Sequence, residues 1–210
     1  AISPVYFMNS RKKPMIKNIQ DNIRESIAIK NSVLNDRLIL DQVVGAAEKI
    51  TNALQTGHRV LFGGNGGSAA DAQHLAAELS GRFNLERKAL NAEAININVP
   101  FLTAVSNDYD FDYSYARYLE GAARSGDVVI LLSTSGQSTN IVRAAQYASD
   151  ESIYTIALTG ETGGKLLDIC NITIRVPSTD TARIQEVHML LGHCICQMVE
   201  KNIFGVGTPG

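Results

Sequence analysis

Cysteine is scarce in these 210 residues, and neither sign of charge dominates. Cys170, Cys194 and Cys196 are too few and too irregularly spaced for a disulfide framework, and they lack the CxxC spacing of a zinc site. They read as free, buried thiols that pack as small hydrophobes, in a chain expected in the reducing cytoplasm. The 19 basic and 21 acidic residues leave a formal net charge of -2. No basic run of the kind that holds a nucleic-acid backbone is present, so nucleic acid is not the expected ligand. No apolar run has the length of a membrane span and no secretory leader is recognisable, so no membrane partner is expected. Also missing is the lysine of a Walker-type phosphate loop, since no Gly-Lys-Ser or Gly-Lys-Thr follows the glycines.

What is present is enough for one substantial core and too short for two ordinary enzyme domains: 45% of the residues are hydrophobic. Residues 1–15, with Arg11-Lys12-Lys13, have no periodic pattern and are expected to form a disordered or appended tail; residues 16–210 are expected to form one domain. Its first part, 16–56, reads as two helices. Ile16, Ile19, Ile23 and Ile27 recur every three or four residues, followed by Val33 and Leu34. In the second helix, 37–55, Leu38, Leu40, Val43, Val44, Ala47, Ile50 and Leu54 spread over more than one face, to be buried against a partner subunit or against the chain's own sheet. Strand-like runs follow at 59–62, 94–98, 128–132, 153–158 and 172–176, alternating with helical patterns after the first strand and at 110–123, 139–149 and 181–202. This alternation predicts an α/β fold, a three-layer αβα arrangement with a five-stranded parallel sheet, two N-terminal helices and a long C-terminal helix. In such sheets ligands bind beyond the carboxyl ends of the strands.

The first strand runs into Gly63-Gly64-Asn65-Gly66-Gly67-Ser68, and a helix begins there. Glycines permit positive φ and close approach to the backbone, while the unpaired amides of a helix start suit an anion, phosphate above all. Ser68 with Asp71 also fits a capping box, which would commit the hydroxyl to the helix. His74 and Glu78, four residues apart, share one helix face and can hold a metal or divide acid and base work. The third strand ends in Ser133-Thr134-Ser135-Gly136-Gln137-Ser138, a second turn suited to phosphate. Gly64-x-Gly66-x-x-Ala69 matches a permissive dinucleotide fingerprint, but the second strand ends Asn98-Val99-Pro100 where an acidic residue is needed, which disfavours a nicotinamide enzyme. On the apolar last helix Gln185, Glu186, His188 and His193 need partners. Spacing does not choose between the two histidines, and His58 reads as structural.

Taken in order, Gly64-Asn65-Gly66-Gly67-Ser68, Asp71-Ala72-Gln73-His74 with Glu78, Ser106-Asn107-Asp108, Ser133-Thr134-Ser135-Gly136-Gln137-Ser138, Leu158-Thr159-Gly160 and Arg183-Ile184-Gln185-Glu186-Val187-His188 resemble the sugar isomerase (SIS) fold, flavodoxin-like or Rossmann-like in layout, and within it the bacterial phosphoheptose isomerases. The resemblance covers about 16–202. It implies interconversion of sedoheptulose 7-phosphate and glycero-manno-heptose 7-phosphate for lipopolysaccharide or capsule, a cytoplasmic homotetramer with active sites at subunit interfaces, and one zinc per subunit. It implies His74, Glu78, Gln185 and His193 as zinc ligands, choosing His193 over His188, with Glu78 and His193 as the catalytic proton-transfer pair. Substrate contacts implied are Asn65, Gly66, Gly67, Ser68, Glu78, Asn107, Asp108, Ser133, Thr134, Ser135, Ser138 and Gln185, with Arg82 as an addition. A runner-up of another class is a tetrameric binder of the DnaA replication initiator with the same fold; the combination of His74, Glu78, Gln185 and His193 favours the enzyme. A sugar-phosphate-binding regulatory domain ranks last, because no helix-turn-helix extension is present.

Overall fold

Two helices precede the first strand: α1, Pro4–Asn35, and α2, Arg37–Gln55. The computed structural model describes residues 4–205, with side chains from residue 12 onward. The helices part at Asp36, whose carboxylate accepts from the Leu38 and Ile39 amides and so caps α2. α1 begins inside the segment expected as a tail; residues 1–3 of that segment and 206–210 of the expected domain lie outside the described residues. Lysine and arginine do not oppose helix, and the helix runs on through Pro14, which lacks one backbone donor.

The remaining elements alternate. They are β1 Val60–Gly64, α3 Gly67–Ser80, β2 Ala92–Ala94, α4 Val99–Asp108, a 3-10 turn at Phe111–Tyr113, α5 Ser114–Ala122, β3 Val128–Ser133, α6 Thr139–Asp150, β4 Tyr154–Thr159, α7 Leu166–Ile169, β5 Ile172–Arg175 and α8 Thr181–Phe204. The five strands are all parallel, in the order β2-β1-β3-β4-β5, as expected. β2 is shorter and earlier than the expected 94–98, because the asparagines that follow it have local work. The Asn96 amide donates to the Ala69 carbonyl, and Asn98 accepts from Phe101 N to cap α4, with Pro100 in the first helical turn. That cap and proline were the signal for α4, a helix the periodicity did not reveal.

Side chains alternate across the strands. Val60, Phe62, Val128, Ile130, Leu132, Ile156, Leu158 and Ile174 pack on one face with α2, α3 and α8, and Leu61, Val129, Leu131 and Ala157 pack on the other with α5 and α6. α2 thus covers its own sheet, with Leu38 and Val44 left exposed on its second face. Among the described side chains of α1, Ile29 and Val33 enter the core, while Ile16, Ile19, Ile23 and Ile27 are each more than half exposed. The chain order reverses between β1 and β3, and the crevice beyond their carboxyl ends is where such a sheet binds ligands.

The polar segment after α3 is tied down from α8. The Glu200 carboxylate accepts from the amides of Phe83, Asn84 and Leu85 and from Arg87 Nε at 2.9 Å, and both side chains of this ion pair are 2% exposed. Burial alone would raise the Glu200 pKa; the three backbone donors and the guanidinium outweigh it and hold the group below its ordinary value. Arg87 in turn donates to the carbonyls of Glu78, Leu79, Gly81 and Lys88. Glu200→Ala leaves a buried cation and three amides without their acceptor, and is expected to cost about 3–5 kcal/mol in urea denaturation; a loss below about 1 kcal/mol would contradict it. Because the folded pKa is depressed, this stabilisation is full above the ordinary carboxylate pKa and is lost as pH falls through the folded one.

Candidate active site

α3 starts from the glycine turn, and its first residue stands at the carboxyl end of β1. Gly66 is the N-cap with φ +56, a backbone conformation that favours glycine. No side chain caps the helix, so Ser68 does not form the expected capping box with Asp71; it lies one residue inside α3, buried, and its Oγ faces α8. The amides of Gly67 and Ser68, in the first turn of the helix, have no intrahelical acceptor. Gln185 of α8 closes the other side. A Cβ at Gly67 would stand 2.6 Å from its Nε2, and the same nitrogen is 3.4 Å from Ser68 Oγ.

Two turns into α3, its side chains meet those of α8. His74 Nε2 is 2.9 Å from Glu78 Oε1 and 3.1 Å from His193 Nε2. One donor atom from each of the three residues lies within 4.8 Å of the others. A zinc ion about 2.0–2.1 Å from each of several tetrahedral donors needs them roughly 3.4 Å apart, so this nitrogen, nitrogen, oxygen set fits a metal of that kind. Phe83 stacks on the His193 ring, with centroids 5.6 Å apart. The Glu200 anchor therefore reaches the site through one aromatic contact. Asp71, one turn before His74, has its pKa raised by burial, against the pull of His74, and its Oδ2 is buried without a hydrogen-bond partner among the described residues.

Of the two α8 histidines, His193 stands in this cluster and His188 does not. His188 is fully buried, with Nε2 3.1 Å from the Thr159 carbonyl at the end of β4. A carbonyl only accepts, so Nε2 carries the proton and Nδ1, buried and without a partner among the described residues, does not. Burial pushes its pKa down to about 4, against the raising effect of the Thr159 bond.

At the hydroxyl turn the work is divided. Ser133 is buried and its Oγ accepts from Gly136 N; Ser135 is exposed and its Oγ accepts from Gln137 N. Thr134 accepts from Gly160 N through its carbonyl. Ser138 is the N-cap residue of α6 but makes no side-chain cap bond. Asn65 faces this turn, pairing with Asn140, a residue that periodicity passed over as helix interior. Asn107 and Asp108 end α4, exposed and bonded to each other, and Asp108 is outside the His74 cluster. Arg82 is exposed and reaches Glu86. The cysteines are free; Cys196 alone is fully buried, its thiol pushed up to about 12 mainly by burial, while Cys170 and Cys194 are half-buried.

His74, Glu78 and His193 form a cluster that could hold a metal, on and opposite the helix that leaves the glycine turn at the sheet's switch point, and the chain resembles known sugar-phosphate isomerases over most of its length. A family model described as SIS domain matches residues 15–160. The chain belongs to this family and, within it, to the phosphoheptose isomerases. The phosphoheptose isomerase of Mycobacterium tuberculosis is 47% identical over 180 residues, 86% of this chain and 92% of that protein. The solved phosphoheptose isomerase of Neisseria gonorrhoeae is 36% identical with a TM-score of 0.83, covering 89% of this chain and 99% of that one. That of Francisella tularensis is 35% identical with a TM-score of 0.85, covering 89% and 98%. Among the described residues no helix is long and apolar enough to cross a membrane.

The neutral state of His188 has a measurable consequence. Its folded pKa of about 4 lies below the ordinary imidazole value of 6.5, so stability is full above pH 6.5 and falls as the unfolded chain takes up the proton between pH 6.5 and about 4, by about 3 kcal/mol at most. Urea denaturation across this range should show a shallower pH dependence in His188→Gln than in the wild type; parallel curves would refute the assignment.

Proposed function

We propose that this phosphoheptose isomerase converts sedoheptulose 7-phosphate to D-glycero-D-manno-heptose 7-phosphate through an enediolate, supplying heptose for lipopolysaccharide or capsule. The observation that carries this reading is the convergence of His74, Glu78 and His193 beside the glycine turn. Moving a carbonyl from C2 to C1 needs a base to take a proton from C1 and an acid to deliver one to C2. Glu78 and His193 divide these transfers from opposite helices. The amides of Gly67 and Ser68 and the hydroxyls of Ser135 and Ser138 receive the phosphate and sugar oxygens, and Gln185, held over Gly67, orients the reacting end. His74, Glu78, Gln185 and His193 would hold one zinc, and bound zinc supplies a Lewis acid that polarises the carbonyl and steadies the developing oxyanion.

The exposed isoleucine stripe of α1, with Leu38 and Val44 of α2, supports burial against further copies of the chain in a homotetramer. Asn107 and Asp108, apart from the triad, would then serve a neighbouring copy's site across the interface. Free cysteines accord with the cytoplasm.

Turnover of sedoheptulose 7-phosphate with identification of the product is the test. Glu78→Gln and His193→Gln should each lower kcat by about 100-fold or more, and chelation should lower activity that zinc restores. A wild-type protein that stays inactive with zinc supplied would remove the isomerase reading.

A further inference from the structure

The two turns that flank the crevice are joined by a side-chain clasp. Asn65, in the glycine turn after β1, donates from Nδ2 to Asn140 Oδ1 at 2.8 Å, and Asn140, in the first turn of α6, donates from Nδ2 to Asn65 Oδ1 at 2.9 Å. The orientation of both amides is determined by a third bond. The Ile141 amide lies 3.0 Å from Asn140 Oδ1, and a backbone N–H can only donate, so that atom is the oxygen. Asn140 Nδ2 then faces Asn65, which must present its own oxygen to it. Asn140 is 2% exposed. Bonds made there are shielded from water, and losing one partner leaves the other unsatisfied.

The clasp spans the topological switch point, where α3 leaves on one face of the sheet and α6 on the other. No backbone hydrogen bond of the described residues joins the glycine turn to the hydroxyl turn beyond the β1–β3 pairing, which ends at Gly64 and Leu132. Past that point other groups hold each turn separately. Tyr115 Oη donates to the Gly64 carbonyl at 2.6 Å, and Gly160 N donates to the Thr134 carbonyl at 2.9 Å. We infer that Asn140 is a positioning residue for substrate: by engaging the Asn65 amide it sets the gap between the amides of Gly67 and Ser68 and the hydroxyls of Ser135 and Ser138. The Asn65 side chain is thereby held in one orientation, with its second N–H left over, and the glycine turn that carries it is held with it. This inference rests on the reading of the two turns as substrate-binding.

The test pairs Asn140→Ala with Asn140→Asp. Aspartate keeps the acceptor for Ile141 N and nearly the same shape, but loses the donor to Asn65, so it separates the clasp from the fold. In both variants KM for sedoheptulose 7-phosphate should rise about tenfold, with the change in KM rather than kcat. Asn65→Ala should do the same, and the Asn65→Ala/Asn140→Ala double variant should be no worse than the worse single one. In the ligand-free protein, amide hydrogen exchange at 64–68 should quicken in both Asn140 variants. Wild-type turnover with unchanged KM in the Asn140 variants, or additive effects in the double variant, would overturn the inference and leave the isomerase reading intact. A wild type that neither turns over nor binds sedoheptulose 7-phosphate would overturn both.

Discussion

The site depends on how closely α8 approaches α3. At the crossing, Gly192 faces Leu75, and a Cβ on Gly192 would stand 2.6 Å from both Leu75 methyl carbons. Leu75 is 1% exposed and sits among core neighbours, so it has little room to yield. Cys196 adds a weak bond from Sγ to the Leu75 carbonyl at 3.9 Å. His74 precedes Leu75 and His193 follows Gly192 in the chain, so the spacing of the two helices is also the spacing of the two imidazoles. A larger residue at 192 would push the His74 and His193 rings apart.

Around that crossing the molecule assembles two functions from different parts of the sheet. Helix faces carry the titratable side chains of the candidate metal site, while the turns at the carboxyl ends of β1 and β3 present amides and hydroxyls. Buried polar contacts link these parts. His188 ties α8 to the end of β4, Gly160 then meets Thr134 in the hydroxyl turn, and Glu200 holds the segment that places Phe83 on His193. Such groups are costly to bury alone. Their pairing makes the elements hold one relative position, which the proposed division of proton transfer between two helices requires.

The parallel sheet and the bounds of α2 were legible because their cues are local: the uninterrupted apolar run of β3, the multi-faced periodicity of 37–55 and the strand-to-glycine transition before α3. His74 and Glu78 were legible as a pair for the same reason, since one helix turn separates them. What escaped depends on partners far away in the chain. Asn140 lies 75 positions from Asn65, and Glu200 more than 110 from the segment it anchors, and neither has a local pattern that marks it. α4 escaped because its cap, Asn98, was read as the last residue of a strand and its early proline, Pro100, as what stopped that strand. The α1 stripe was correctly seen as amphipathic, but periodicity alone does not say whether the apolar face meets the same chain, and here it does not.

The most direct measurement is zinc affinity, by competition with a chromogenic chelator, for the wild type and Gly192→Ala, with circular dichroism to show that both are folded. If the α3 and α8 approach sets the ligand geometry, the variant stays folded and binds zinc at least about tenfold more weakly. Equal affinity in a folded Gly192→Ala protein would contradict that dependence.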